Sequence, residues 1–174
     1  KKNSKENKKL LKRKYNAILF GYNRTGFEIL RALTKLKKHY LVVDFNPDII
    51  SNLTKFRIPC MYGDAYDPEF LEELPLDKIQ LAVSTIPDFE INLLLVETIR
   101  SVNPNAKIIL RAHQIRDALE LYNKGASYVL TPHFLGGEYI SKMILNLKSN
   151  SISWKIDDLT ITTSNKNYIK FKLS

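Results

Sequence analysis

The sequence predicts an α/β fold, a parallel sheet of about six strands with helices wound over both faces. Three observations predict it. Short apolar runs alternate with longer amphipathic stretches from Tyr15 to Leu147, which is how successive β-α-β units read. The runs are apolar throughout rather than alternating with polar residues, as in strands covered on both faces. Polar residues with chemistry to offer stand just after the runs, where such sheets collect ligands.

Each element has its own signal. "NAILF" is an apolar run that ends at Gly21, and the stretch after it has Phe27, Ile29, Leu30, Leu33 and Leu36 apolar at helical spacing. "YLVVD" is the second run, and Pro47 opens a helical stretch through Phe56. "PCMYGD" is a third, shorter run. Asp67 then caps a helix that has Pro68 at its first position. "IQLAVST" reads as a strand, and Pro87 and Asp88 open a long helix through Arg100. "KIILRA" is a strand, and "QIRDALELYNKG" is a helix stopped by Gly125. "SYVL" is the last short run, and Phe134 to Leu147 form the final helix. Beyond it the period changes to two, with Ile152, Trp154 and Ile156, then Ile169, Phe171 and Leu173, around the turn "SNKN". That pattern predicts a β-hairpin appended to the α/β body.

The division expected is therefore a leader over 1–14, the α/β body over 15–148 and a β-rich tail over 149–174. With 174 residues there is room for one ordinary domain and little more. The net charge of +9 is unevenly spread. The leader, "KKNSKENKKLLKRK", holds eight Lys or Arg against one Glu, while the body sums to zero. A nucleic-acid binder carries its charge as a patch on the folded surface, so nucleic acid is not an expected partner. The leader suits either a solvated linker or a segment lying against an anionic membrane surface. No run reaches the roughly 20 apolar residues of a membrane span. From its start on Lys the chain is expected to be part of something longer. A single cysteine, Cys60, excludes a disulfide framework and a cysteine-built zinc site.

The first strand runs into "GYNRTG", a variant of the G-x-G-x-x-G turn that cradles a dinucleotide's pyrophosphate. Gly21 and Gly26 keep the outer glycines, while Asn23 replaces the middle one. Asn tolerates left-handed backbone, so the turn is expected to survive with the Asn23 side chain crowding the phosphates. Arg24 follows, at a helix start whose free N–H groups already attract anions. Asp44 ends the second strand 18 residues after Gly26, near the place of a ribose-binding carboxylate. An aspartate there disfavours the 2'-phosphate of NADP; a helix-capping role is the alternative. Asp64, Ser84, Thr85, Asp88, Arg111 and His113 follow the other strands, where caps and solvent contacts are the simpler reading.

These residues resemble the TrkA-N, or RCK (regulator of potassium conductance) N-terminal, domain, in the version attached to Kef-type cation:proton antiporters. The resemblance is carried by "ILFGYNRTGFEILRAL", "VVDFNPDIISNL", "YGDAYDPEFLEEL", "AVSTIPDFEINLLLVE" and "IILRAHQIRDALELYNKGASYVLTPHFLGGEYI", over roughly residues 15–145. The family's turn reads G-x-G-R-x-G; Arg24 matches and Asn23 departs. The resemblance implies a Rossmann-like, doubly wound regulatory domain at the cytoplasmic face of a membrane, joined to its own transmembrane transporter domain and paired as a homodimer. It implies NAD(H) or an adenine nucleotide (AMP, ADP or ATP) as ligand. By position Gly21, Tyr22, Asn23, Arg24, Thr25 and Gly26 would hold phosphate, Asp44 with its neighbour Phe45 the ribose, and Asp64 and Ala65 the adenine. Thr85 and Arg111 would line the phosphate side. A stripe of Ile140, Met143, Ile144 and Leu147 on the final helix serves pairing or core packing.

A free-standing subunit of a potassium channel or transporter is the alternative. An NAD-dependent oxidoreductase fits less well. The six strand-helix units use up the body, "YISK" lacks the Y-x-x-x-K spacing, and His39, His113 and His133 are scattered.

Overall fold

The computed structural model describes residues 10–146, 159–162 and 170–173. Six parallel strands form one sheet: β1 (Ala17–Phe20), β2 (Tyr40–Asp44), β3 (Cys60–Tyr62), β4 (Leu81–Ser84), β5 (Lys107–Arg111) and β6 (Tyr128–Leu130). Their order is β3-β2-β1-β4-β5-β6. The helices between them are α1 (Arg24–Lys35), α2 (Pro47–Lys55), α3 (Pro68–Glu73), α4 (Phe89–Val102) and α5 (Ile115–Asn123), and α6 (Pro132–Asn146) follows β6. The doubly wound order places β1 at the centre, between β2 and β4. The order reverses there, so the carboxyl end of β1 is the switch point at which such sheets bind ligands.

The strands are legible in sequence because they are covered on both sides. Ile18 and Leu19 are adjacent, point to opposite faces and are both fully buried. Ile18 joins Phe20, Leu41, Leu95, Ile99, Ile108 and Leu121 in one core layer. Leu19 joins Leu30, Val42, Leu53 and Cys60 in the other. Helix starts follow the expected chemistry. Asn46, Asp67 and Asp88 accept the N–H groups of Asp48, Glu69 and Ile91, and Pro47 and Pro68 open their helices. Asp88 is therefore the helix cap that its position predicted. The Cys60 thiol is buried beside Thr54 Oγ1 at 3.5 Å, and burial raises its pKa.

The polar knit at the amino ends of β4, β5 and β6 has no counterpart in the sequence pattern. Arg100, near the end of α4, donates from Nε to Gly125 O (2.9 Å) and from Nη1 to Asn103 O, Pro104 O and Ala106 O (3.2, 3.1 and 2.8 Å). Asn103 donates to Leu76 O and Ile79 O, both at 2.9 Å.

The chain divides into two compact units, Lys1–His133 and Phe134–Ser174. In the second, Lys142 Nζ pairs with Glu138 at 2.7 Å along α6, and Ile140 and Ile144 are exposed. Strands β7 (Leu159–Thr162) and β8 (Lys170–Leu173) pair antiparallel, with Leu159 opposite Leu173. This antiparallel pair agrees with the expected hairpin at Ile169, Phe171 and Leu173 only in its second strand, β8, which holds Phe171 and Leu173; Ile169 and the turn "SNKN" lie outside the described residues. Ile152, Trp154, Ile156 and Leu147 lie outside the described residues. No helix among the described residues is long and apolar enough to cross a membrane.

Candidate functional site

The site is built where β1 turns into α1. Gly21 has φ +83°, and a Cβ there would lie 2.9 Å from Thr85 Oγ1 and 3.1 Å from Ile86 Cγ1. At Gly26 a Cβ would lie 2.6 Å from the Gly21 carbonyl oxygen. Both outer glycines are thus required, the first by backbone conformation and the second by close approach.

The middle position corrects the sequence expectation. Asn23 has φ −101° and ψ −166°, extended backbone that any residue adopts, so no left-handed tolerance is in use. Its side chain is the N-cap of α1. Oδ1 accepts the Gly26 N–H at 3.1 Å, and Nδ2 donates to Thr85 O at 3.1 Å. Asn23 therefore ties the turn to the end of β4. It also engages one N–H that the helix start would offer an anion.

Asp44 is buried at the end of β2. Its Oδ2 accepts the Tyr22 N–H at 2.7 Å and its Oδ1 accepts the Asn46 N–H at 2.8 Å. One carboxylate thereby fixes the glycine turn and the next helix start together. Each oxygen keeps a second lone pair for a hydroxyl donor. Thr85 is buried after β4, and its hydroxyl donates to Gly21 O at 2.9 Å. Arg111, ending β5, donates from Nη1 to Thr85 O at 3.4 Å, while its buried Nε has no partner among the described residues.

One participant was missed in the sequence reading. Asn92 lies fully buried in α4 and donates through Nδ2 to Ile86 O and Arg111 O, both at 2.8 Å. Its Oδ1 is buried without a partner. It holds the ends of β4 and β5 together behind Arg111. An asparagine in the otherwise apolar run "INLLLV" is the one mark it leaves in the sequence.

The structure thus gathers Gly21, Tyr22, Asn23, Gly26, Asp44, Thr85 and Arg111 into one hydrogen-bonded ring. Arg24 and Thr25 stand at the first turn of α1, with Arg24 exposed. The Tyr22 ring is half-buried, and burial raises its phenol. Phe45 is exposed beside Asp44. After β3, Asp64 Oδ1 accepts the Tyr66 N–H at 2.9 Å and Ala65 is buried; their link to the ring runs through Gly63, whose N–H meets Asp44 O at 3.1 Å. His113 and His133 stack on each other, centroids 5.8 Å apart. No cluster of His, Cys, Asp or Glu among the described residues could hold a metal ion.

The ring offers an anion a helix start, an exposed guanidinium and a buried N–H donor, and offers a hydroxyl-bearing group a carboxylate. An Arg111 Nε without a partner among the described residues, on a side chain bonded to the same Thr85 that packs against Gly21, fits a phosphate-bearing ligand.

Known proteins resemble this chain in sequence and in fold. The chain is 30% identical over 128 residues to the glutathione-regulated potassium-efflux system protein KefC of Cronobacter sakazakii, covering 74% of this chain and 21% of that protein. It is 30% identical over 139 residues to probable potassium channel protein 2 of Methanocaldococcus jannaschii, covering 78% of this chain and 40% of that one. It therefore spans well under half the length of these relatives. Among solved structures, the AMP-bound form of a Shewanella denitrificans Kef CTD superposes with TM-score 0.64 at 27% identity, over 78% of this chain and 82% of that one. The TrkA-N domain model matches residues 17–132, strand β1 through the start of α6, and the chain belongs to the TrkA-N domain family.

Proposed function

We propose that this chain is the nucleotide-sensing regulatory domain of a Kef-type potassium transport protein. The observation that carries this reading is the ring of Gly21, Asp44, Thr85 and Arg111, with a buried guanidinium N–H left over for an anion. The ligand is an adenine nucleotide: AMP, ADP, ATP or NAD(H). The Kef relative with AMP bound supports the mononucleotide form, and so does the Asn23 cap, which leaves one N–H fewer for a second phosphate. Arg24, Thr25 and Arg111 hold phosphate, Asp44 beside Phe45 holds ribose, and Asp64 and Ala65 flank the base.

The body, residues 15–148, joins its own transmembrane domain through the basic segment 1–14 at the cytoplasmic face of the membrane, and works as a homodimer; residues 149–174 extend it. Its output is conformational rather than chemical. A ligand that binds one arrangement of the pair more tightly shifts the population toward it and so biases ion flux.

Thermal melting against AMP, ADP, ATP, NAD and NADH tests the reading, with Arg24→Ala and Asp44→Ala as controls. A ligand at about a hundred times its dissociation constant adds roughly 2.7 kcal/mol, or about 5–11 °C for a domain of this size. The expected result is a shift with at least one nucleotide that both variants reduce. Unmoved melting with all five ligands would end the proposal.

A further inference from the structure

The body of this chain is neutral in sum but not in layout. At the amino ends of β1, β2 and β3, opposite the nucleotide site, segments 10–16, 29–43 and 49–63 contain no Asp or Glu. Parallel pairing sets Ala17 opposite Tyr40 and Val42 opposite Cys60, so these three segments meet at one edge. They bring Lys12, Arg13, Lys14, Lys35, Lys37, Lys38, Lys55 and Arg57 there, all exposed. Favourable placement at helix C-termini accounts for Lys35 and Lys55, since that effect fades within the last turn. It does not account for the others, which lie in the connections.

Two of those connections are copies of one device. Thr34-Lys35-Leu36-Lys37 ends α1, and Thr54-Lys55-Phe56-Arg57 ends α2. Lys38 N–H reaches back to Leu33 O, and Ile58 N–H to Leu53 O, at 3.1 and 3.0 Å. In such helix stops the left-handed residue is usually glycine. Here it is Lys37 (φ 51°) and Arg57 (φ 57°). Both turns hold a cation in backbone that L side chains avoid. Both also leave a large apolar side chain between two cations, Leu36 at 67% exposure and Phe56 at 79%. Beside them a cavity of about 680 Å³ opens among Arg13, Lys14, Lys38 and His39.

We propose that this edge docks the domain on an anionic phospholipid surface. Leu36 and Phe56 enter the headgroup layer, the flanking cations meet lipid phosphates, and the cavity seats one headgroup. An apolar apex between cations is how interfacial segments hold a bilayer. Phe56 alone of the two apices has a face on which a nucleic-acid base could stack, and the aliphatic Leu36 paired with it favours lipid over RNA. The surface is independent of the nucleotide ring, so either can stand without the other.

Flotation of the full chain with phosphatidylcholine vesicles, with and without phosphatidylglycerol, tests this. The leader's own charge is controlled by two variants. Lys37→Gly with Arg57→Gly removes two cations while supplying the residue that the backbone favours. It should melt no lower than the parent yet bind anionic vesicles roughly thirtyfold more weakly. Leu36→Ser with Phe56→Ser should remove the binding that persists in high salt. The expected result is binding that needs phosphatidylglycerol and falls in both variants. Binding unchanged in both would assign it to residues 1–14 alone and overturn the proposal. So would tighter binding to a single-stranded RNA than to the anionic vesicles.

Discussion

Polar side chains gather in two places on this sheet, and they are used differently. At the amino ends of β4, β5 and β6, Arg100 and Asn103 direct their donors into backbone carbonyls of neighbouring loops, and Arg100 Nη2 reaches Ser127 Oγ at 3.4 Å. At the carboxyl ends of β1, β2, β4 and β5, Asn23, Asp44 and Thr85 brace the backbone at Thr85, Tyr22 and Gly21, yet Arg111 Nε and Asn92 Oδ1 are left over. The first group is closed and the second is open. Residue type does not separate them, since each contains an arginine and an asparagine. What separates them is whether the hydrogen-bonding capacity is used up inside the fold.

The largest expected effect concerns the closed group. Arg100→Ala strips a donor from four carbonyls and should cost roughly 3 kcal/mol. Its melting point should fall by about 6–12 °C, measured by calorimetry. Lysine at the same position should rescue little, because its ammonium lacks the planar fork. A fully stable Arg100→Ala would erase the contrast.

Arg111→Ala should behave in the opposite way. Its melting point should stay close to the parent's, while AMP affinity by titration calorimetry should weaken roughly ten- to a hundredfold, as for a lost hydrogen bond to a charged group. A collapse in stability would move Arg111 into the closed group.

A smaller effect is expected at Tyr122, whose phenol oxygen accepts the Val129 N–H at 2.9 Å. Burial raises the pKa of this phenol, and also those of Tyr15 and Tyr128. Folding therefore favours the neutral ring. That stability is fully present below the ordinary phenol value of about 10 and is lost as pH rises through the higher folded value. Urea midpoints should hold to about pH 10 and then drop. Tyr122→Phe should start about 1 kcal/mol lower and drop less steeply.

The smallest cost belongs to Asn23→Gly. As a cap glycine loses only a few tenths of a kcal/mol, the Thr85 carbonyl that Asn23 Nδ2 leaves keeps its Arg111 donor, and the Gly26 N–H is freed. NAD should gain affinity relative to AMP, and an unchanged ratio would show that the cap does not select between them.

The fold was legible because its strands are buried on both faces, so "NAILF" and "YLVVD" read as strands without any partner in view. The doubly wound order followed from the alternation with helices, and the place of Asp44 at the end of β2 from its spacing to Gly26. Asn23 was misread because the motif defines its position by what a glycine would allow. Besides the Gly26 N–H it caps, its partner is Thr85, 62 residues away. Arg100 and Gly125 are likewise 25 residues apart. Such contacts leave no local period, and only the assembled sheet reveals them.

The strand order also shapes how this chain comes into being. β1 is central, but its second neighbour, β4, begins 64 residues after it, with Ala17 meeting Leu81. A ribosome adding roughly 5–20 residues per second needs several seconds to deliver that partner. Through that interval the edge of β1 is an unpaired apolar ribbon open to any other strand. The nascent chain is most vulnerable to mispairing in that window, and a stall or cleavage between Gly63 and Gln80 would leave a fragment with its sticky edge uncovered.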